Sequence, residues 1–158
     1  MYMKTTLLKI LPPIWFISFL ILGLVAHFGF PATRVFDFSD SIWFAIVGGI
    51  VFLAGFALTL NASRWFAQEK TEILPTSPTN RVLVTQGPYR RTRNPMYLGM
   101  VVSLLGIAIW LGTLPMFLAA LADFLVLNFV FIPFEEEKMA RQFGASFEAY
   151  KQKVRRWL

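Results

Sequence analysis

The chain has 158 residues, 56% hydrophobic and 15% charged, with 15 lysines and arginines against 9 acids for a net charge of +6. A soluble domain of this size carries more charge, and here the charges fall in short runs between long uncharged ones, the pattern of a polytopic membrane protein. With no cysteine and one histidine, disulfides, thiolate nucleophiles and Cys- or His-built metal centres are excluded, and the basic residues cluster beside apolar runs, as topology and lipid headgroups require, rather than as nucleic acid would.

Ile10 to Phe30 is uncharged and is the first expected span. Pro12 and Pro13 fall in its first turn, where missing N–H groups cost little. The run is too long for a signal-peptide core, and no small-residue cleavage site follows it. Ser41 to Leu60 is a second uncharged run of 20 residues, about 30 Å as a helix and so matched to the hydrocarbon thickness. Met96 to Phe134 is 39 residues long, with Asp123 as its only charge, and must fold back on itself. Gly112, Thr113 and Pro115 mark the turn, giving helices over 96–111 and 114–134. Within the spans, Ala45/Gly49, Gly55/Thr59 and Gly99/Ser103 are small residues four apart, which let helix backbones approach closely. After Phe134, Met139, Phe143, Phe147, Tyr150, Val154 and Trp157 recur at spacings of three or four among lysines and arginines. This reads as an amphipathic helix over 135–158, interrupted near Gly144 and lying against the membrane face.

Orientation follows from the basic residues. The N-terminus has Lys4 and Lys9, the first loop Arg34, and the third loop none. The second loop (Arg64, Lys70, Arg81, Arg90, Arg91, Arg93) and the C-terminal segment (Lys138, Arg141, Lys151, Lys153, Arg155, Arg156) are rich in them. Both termini and the loop 61–95 are therefore expected in the cytoplasm, so the sequon Asn61-Ala62-Ser63 faces away from glycosylation. The expected architecture is all-α: one membrane domain, 1–158, of about four transmembrane helices plus a C-terminal amphipathic helix.

Chemistry concentrates at two places. One is GPYRRTRNPMYLG (87–99), at the start of the third span; the other is Glu135-Glu136-Glu137, at the end of the fourth. A tight hairpin returns the chain to the same membrane face, so the two are expected to be neighbours. Gly87-Pro88 and Asn94-Pro95 shape an irregular backbone, and Tyr89 and Tyr97 add aromatic faces with polar tips. The acids are not required by topology. These residues alone point to a compact pocket for a small polar molecule.

From Glu72 onward the chain resembles the isoprenylcysteine carboxyl methyltransferase and phospholipid methyltransferase group of integral membrane enzymes. The resemblance rests on GPYRRTRNPMYLG, on PFEE (133–136) and on FGASFEAYKQKVRRWL (143–158). It implies an S-adenosylmethionine-dependent methyltransferase without a Rossmann domain, acting on a lipophilic or small acceptor: an isoprenylcysteine-like carboxylate, a phospholipid or a thiol. The chain has no GxGxxG between a strand and a helix. Carried over by position, Tyr89, Arg93, Asn94, Pro95, Tyr97 and Gly99 form one wall of the cofactor pocket and Glu135 and Glu136 the other, with Arg93 and Glu136 in the catalytic role and no metal. Gly99 would allow close approach of the cofactor, and Glu137 stands apart. The family often has histidine where this chain has Asn94, which takes no proton near neutral pH. That favours an anionic or thiol acceptor, already nucleophilic. The alternatives are a non-catalytic binding or assembly module of the same fold and a small membrane reductase. The expected location is a bacterial inner membrane. Asp123 is read as a structural residue, with Asn128 on a similar side of the helix, and His27 as an interfacial or packing residue.

Overall fold

The computed structural model describes residues 10–30, 42–72, 77 and 79–158. Its elements are helical: α1 (Pro12–Gly29), α2 (Ile42–Gln68), a 3-10 turn (Gly87–Arg90), α3 (Pro95–Leu111), α4 (Leu114–Val126), a π-turn (Leu127–Phe131), α5 (Ile132–Phe143) and α6 (Ala145–Lys153). α4, the π-turn and α5 form one helix of 30 residues, and with α1 and α2 this makes three helices long and apolar enough to cross a membrane. The remaining expected span, α3, is apolar and in its expected place but has only 17 residues, about 25 Å against a hydrocarbon core of about 30 Å. Lys4, Lys9 and Arg34, which enter the orientation argument, lie outside the described residues.

Two expected boundaries are corrected. α2 does not stop at Leu60 but continues to Gln68, so Asn61-Ala62-Ser63 is helical and the connection begins later than residue 61. Nothing from Asn61 to Gln68 breaks a helix, and Ala62, fully buried, packs with Val84 and Tyr89. Lys70, at φ +50°, ends it, with the Thr71 N–H reaching back to the Phe66 carbonyl. The C-terminal helix is likewise not a separate element starting at Glu135. The fourth span runs through Pro133 to Phe143 without a break. A proline inside a helix removes one donor and crowds the preceding turn. Here the turn before it widens into a π-turn, with the Ile132 N–H bonded to the Leu127 carbonyl. The interruption near Gly144 is present: Gly144 takes φ +50° and α6 follows.

α2 and α3 pack most closely. Gly48 and Gly55 of α2 face Gly106 and Gly99 of α3. A Cβ on Gly55 would lie 2.6 Å from the Gly99 carbonyl oxygen, and one on Gly48 2.6 Å from that of Gly106. Gly49, expected in this contact, has nothing within 4 Å of its Cβ position; the seam is one residue earlier. Ser103 donates to the Gly99 carbonyl (2.7 Å), and Thr59 donates across the seam to the Met96 carbonyl (3.1 Å). On its other side α3 packs on α4 through Tyr97, Met100, Leu127, Phe131 and Ile132, and through Leu104, Ala108, Met116, Ala119 and Ala120, where α1 adds Phe16, Phe19 and Leu20. The hairpin between α3 and α4 is the predicted one: Gly112 is left-handed (φ +64°) and Pro115 lies in the first turn of α4. His27 Nδ1 meets the Thr113 hydroxyl there (3.2 Å), a packing role at the end opposite the pocket.

Candidate active site

The α3–α4 hairpin brings 93–97 and 135–136 together as expected. Tyr97, in the first turn of α3, donates its O–H to Glu135 Oε1 at 2.5 Å. Arg93 Nη2 donates to Glu136 Oε1 at 2.6 Å, and Arg156 Nη2 to Glu136 Oε2 at 2.6 Å. Adjacent positions on a helix point about 100° apart, so the two glutamates divide. Glu136 is enclosed by two guanidiniums, and Glu135 is held by one tyrosine.

The C-terminal tail closes over this pair. After α6, Val154 turns extended. Arg93 Nη1 donates to the carbonyls of Val154 (2.6 Å) and Lys151 (3.3 Å), and its backbone N–H to that of Arg155 (2.9 Å). The Thr92 hydroxyl and the Asn94 amide nitrogen both donate to the Arg156 carbonyl, at 3.0 and 2.9 Å. Trp157 Nε1 donates to Asn128 Oδ1 at 3.0 Å. The arginine motif therefore binds this chain's own tail.

Beneath the tail is a pocket. Its walls are Phe66 of α2, Glu72, Asn80, the segment Val82–Val84, Tyr89, Arg93, Asn94, Met96 and Tyr97, Glu135, Glu136, Lys138 and Met139 of α5, and Phe147 and Tyr150 of α6. The roof is tied down. The Asn80 N–H donates to Gln142 Oε1 (2.9 Å), the Gln142 amide donates back to the Asn80 carbonyl, and Asn80 Nδ2 donates to the Glu72 carbonyl (2.8 Å). Hydrogen bonds from its own and the Arg81 backbone N–H and from the Thr71 hydroxyl, with Arg81 nearby, hold the Glu72 carboxyl below the usual carboxylate range. The Tyr150 O–H donates to the Tyr89 carbonyl at 2.7 Å. Burial, and then the charge of Glu135, push the Tyr89 hydroxyl well above its ordinary pKa, so it stays protonated. Tyr150 is raised by burial as well.

Of the residues predicted for the site, Tyr89, Arg93, Asn94, Tyr97, Glu135 and Glu136 line this pocket. Pro95 and Gly99 do not. Pro95 starts α3, and Gly99 faces Thr59 and Gly55 across the α2 seam rather than the pocket. Glu137 is exposed and pairs with Arg141 at 3.0 Å. Arg156, Tyr150, Phe147 and the roof are additions that the sequence reading did not assign. For Arg156 a signal existed, since it lies in the tail motif, but its partner Glu136 is 20 residues away. Asp123 is fully buried away from the pocket, and neither carboxylate oxygen has a hydrogen-bond partner among the described residues. Removing an unpaired buried polar group is favourable, so Asp123→Val is expected to stabilise the fold by about 1–3 kcal/mol. Thermal unfolding in detergent checks this; a lowered midpoint would mean that the carboxyl is bonded.

A family model described as phospholipid methyltransferase matches residues 43–146, from the start of α2 to the start of α6. The chain belongs to this family. The match takes in α2 to α5 with the pocket's roof and floor, and it ends before Tyr150 and the tail. An uncharacterized protein of Haemophilus influenzae is 41% identical over 63 residues, 40% of this chain and the whole of that protein. No solved structure matches the chain. Membership of this family supports a membrane methyltransferase.

Proposed function

We propose that the chain transfers a methyl group from S-adenosylmethionine to a lipophilic or small acceptor at the cytoplasmic face of a bacterial inner membrane. The observation that carries this reading is the pocket itself, with Glu135 held by Tyr97 opposite the rings of Phe66 and Tyr89. Its residues fit the cofactor chemically. Glu135 and Glu72 offer acceptors for ribose hydroxyls or an ammonium, and the aromatic and methionine side chains suit a purine ring. The enclosed space is about 90 Å³, less than a drug-sized ligand needs, so binding includes outward movement of the roof or tail. When bound, the cofactor supplies a methyl group on a positively charged sulfur. Glu135 favours that charge, and the Tyr97 O–H fixes the carboxylate's orientation. The roof and the tail keep water from the transfer. Asn94 supplies no base near neutral pH, which favours an acceptor that is already nucleophilic, a carboxylate or a thiolate.

The test is calorimetric binding of S-adenosylhomocysteine to the detergent-purified protein. Wild type is expected to bind, and Glu135→Ala to weaken binding at least about tenfold, the loss of one charged hydrogen bond. A folded wild type that does not bind overturns the reading. A second reading, a binding or assembly module without turnover, is favoured by Asn94, whose side chain is engaged with the tail. It expects cofactor binding with no methyl transfer to any lipid or thiol.

A further inference from the structure

A second cavity lies against the 86–92 turn. It is a groove of about 790 Å³. The two spaces share no lining residue and differ in charge. Three glutamates are among the walls of the pocket, whereas the groove is lined by Arg90 and Arg91 and by no aspartate or glutamate. Arg90 donates through Nε and Nη2 to Gln86 Oε1, at 3.1 and 2.5 Å, which holds its guanidinium over the turn. Among the described residues no carboxylate pairs with either arginine. The opposite wall is Leu58, Asn61 and Trp65, spaced three and four apart on one face of α2. Gly87, at φ +58°, packs directly on the Trp65 indole and fixes it there.

This wall crosses the membrane boundary. Leu58 lies in the uncharged part of α2, and Trp65 follows its first arginine, Arg64, about 10 Å further along the axis. Trp at such a position marks the headgroup level. Leu58 and Leu98 therefore line the deep end of the groove in hydrocarbon, and Arg90 and Arg91 its mouth. Phe66 and Tyr89, whose ring centroids are 5.5 Å apart, close the pocket on its own side of the turn.

We infer that this groove binds an anionic glycerophospholipid of the bilayer, its phosphodiester against Arg90 and Arg91 and an acyl chain along Leu58 and Leu98. A zwitterionic headgroup is disfavoured, because its ammonium would meet two guanidiniums and no aspartate or glutamate side chain. A soluble phosphate would leave the apolar half of the groove unused. The site is distinct from the methyl-transfer pocket, and its lipid is a bound partner rather than the acceptor.

The experiment follows Trp65 fluorescence during titration with phosphatidylglycerol or phosphatidylcholine carrying the same brominated acyl chains. A Trp65→Phe variant is subtracted to remove the other four of the five tryptophans. Phosphatidylglycerol is expected to quench at about thirtyfold lower concentration, the preference two interfacial arginines confer. Arg90→Gln with Arg91→Gln should abolish that preference, and Arg90→Lys with Arg91→Lys should keep it. Equal quenching of wild type by both lipids overturns the proposal. So does a preference that survives the glutamine pair, or displacement of the lipid by glycerol phosphate without acyl chains at equal concentration.

Discussion

Glu136→Ala is expected to destabilise the fold by about 3 kcal/mol and to release the C-terminal tail. The Glu136 side chain is 17% exposed and that of Arg93 12%, so removing the carboxylate leaves the Arg93 guanidinium with little water to solvate it, beside the like charge of Arg156, which at 36% exposed keeps part of its hydration. Breaking a buried pair from one side costs far more than the pair contributes when intact. Arg93 would still reach the Val154 and Lys151 carbonyls, so loosening should begin at Arg156. The tail carries Lys151, Lys153, Arg155 and Arg156. Limited trypsin digestion should accordingly cut Glu136→Ala there at protease levels that leave wild type intact, and Arg156→Ala should show the same pattern. Glu137→Ala is the control: its pair with Arg141 is 66% exposed on both sides and is expected to change stability by less than about 0.5 kcal/mol. If Glu136→Ala leaves both the melt and the digestion pattern unchanged but abolishes S-adenosylhomocysteine binding, Glu136 is a ligand contact and not a clamp.

That prediction departs from the sequence reading at one definite point. The motif and the hairpin were enough to bring Arg93, Tyr97, Glu135 and Glu136 together, because a tight turn at Gly112 fixes which ends are neighbours. They did not separate the two glutamates, since that depends on the rotation of α5, and α5 is phased by the π-turn before Pro133. Periodicity could not announce a widened turn; it reads an uninterrupted apolar run there. The extent of α2 was misplaced for a related reason. Charge marks where a helix leaves hydrocarbon, not where its hydrogen bonding stops, and Ala62 is buried by the 84–89 segment rather than by lipid. The roof was invisible because Asn80 and Gln142 meet across 62 residues, with no periodic pattern to link them.

The glycine seam carries the other large expected effect. Gly55→Ala and Gly99→Ala are each expected to cost about 1–3 kcal/mol, since the added methyl meets backbone atoms of the facing helix as well as a hydroxyl, that of Ser103 at Gly55 and that of Thr59 at Gly99. Larger residues at either position should prevent folding. Gly49→Ala, next to the seam but open within 4 Å, is expected to be neutral or slightly stabilising, because alanine is the better helix former. The same substitutions reach the pocket. Gly99 is two residues from Tyr97, and Thr59 ties α2 to the Met96 carbonyl, so moving α3 away from α2 moves Tyr97 away from Phe66. A shift of about 1 Å is enough to impair a preorganised site. Gly99→Ala should therefore weaken S-adenosylhomocysteine binding as well as lower the melting midpoint, although Gly99 does not line the pocket. Glu135→Ala also leaves the buried Tyr97 O–H without its acceptor, so Glu135→Gln, which keeps an acceptor there, is the variant expected to weaken binding with the midpoint unchanged. Measuring both quantities for both variants separates a residue that touches the ligand from one that holds the wall in place. If Gly99→Ala lost binding at an unchanged midpoint, the cofactor would lie against this glycine, and the seam would not be what makes glycine necessary here.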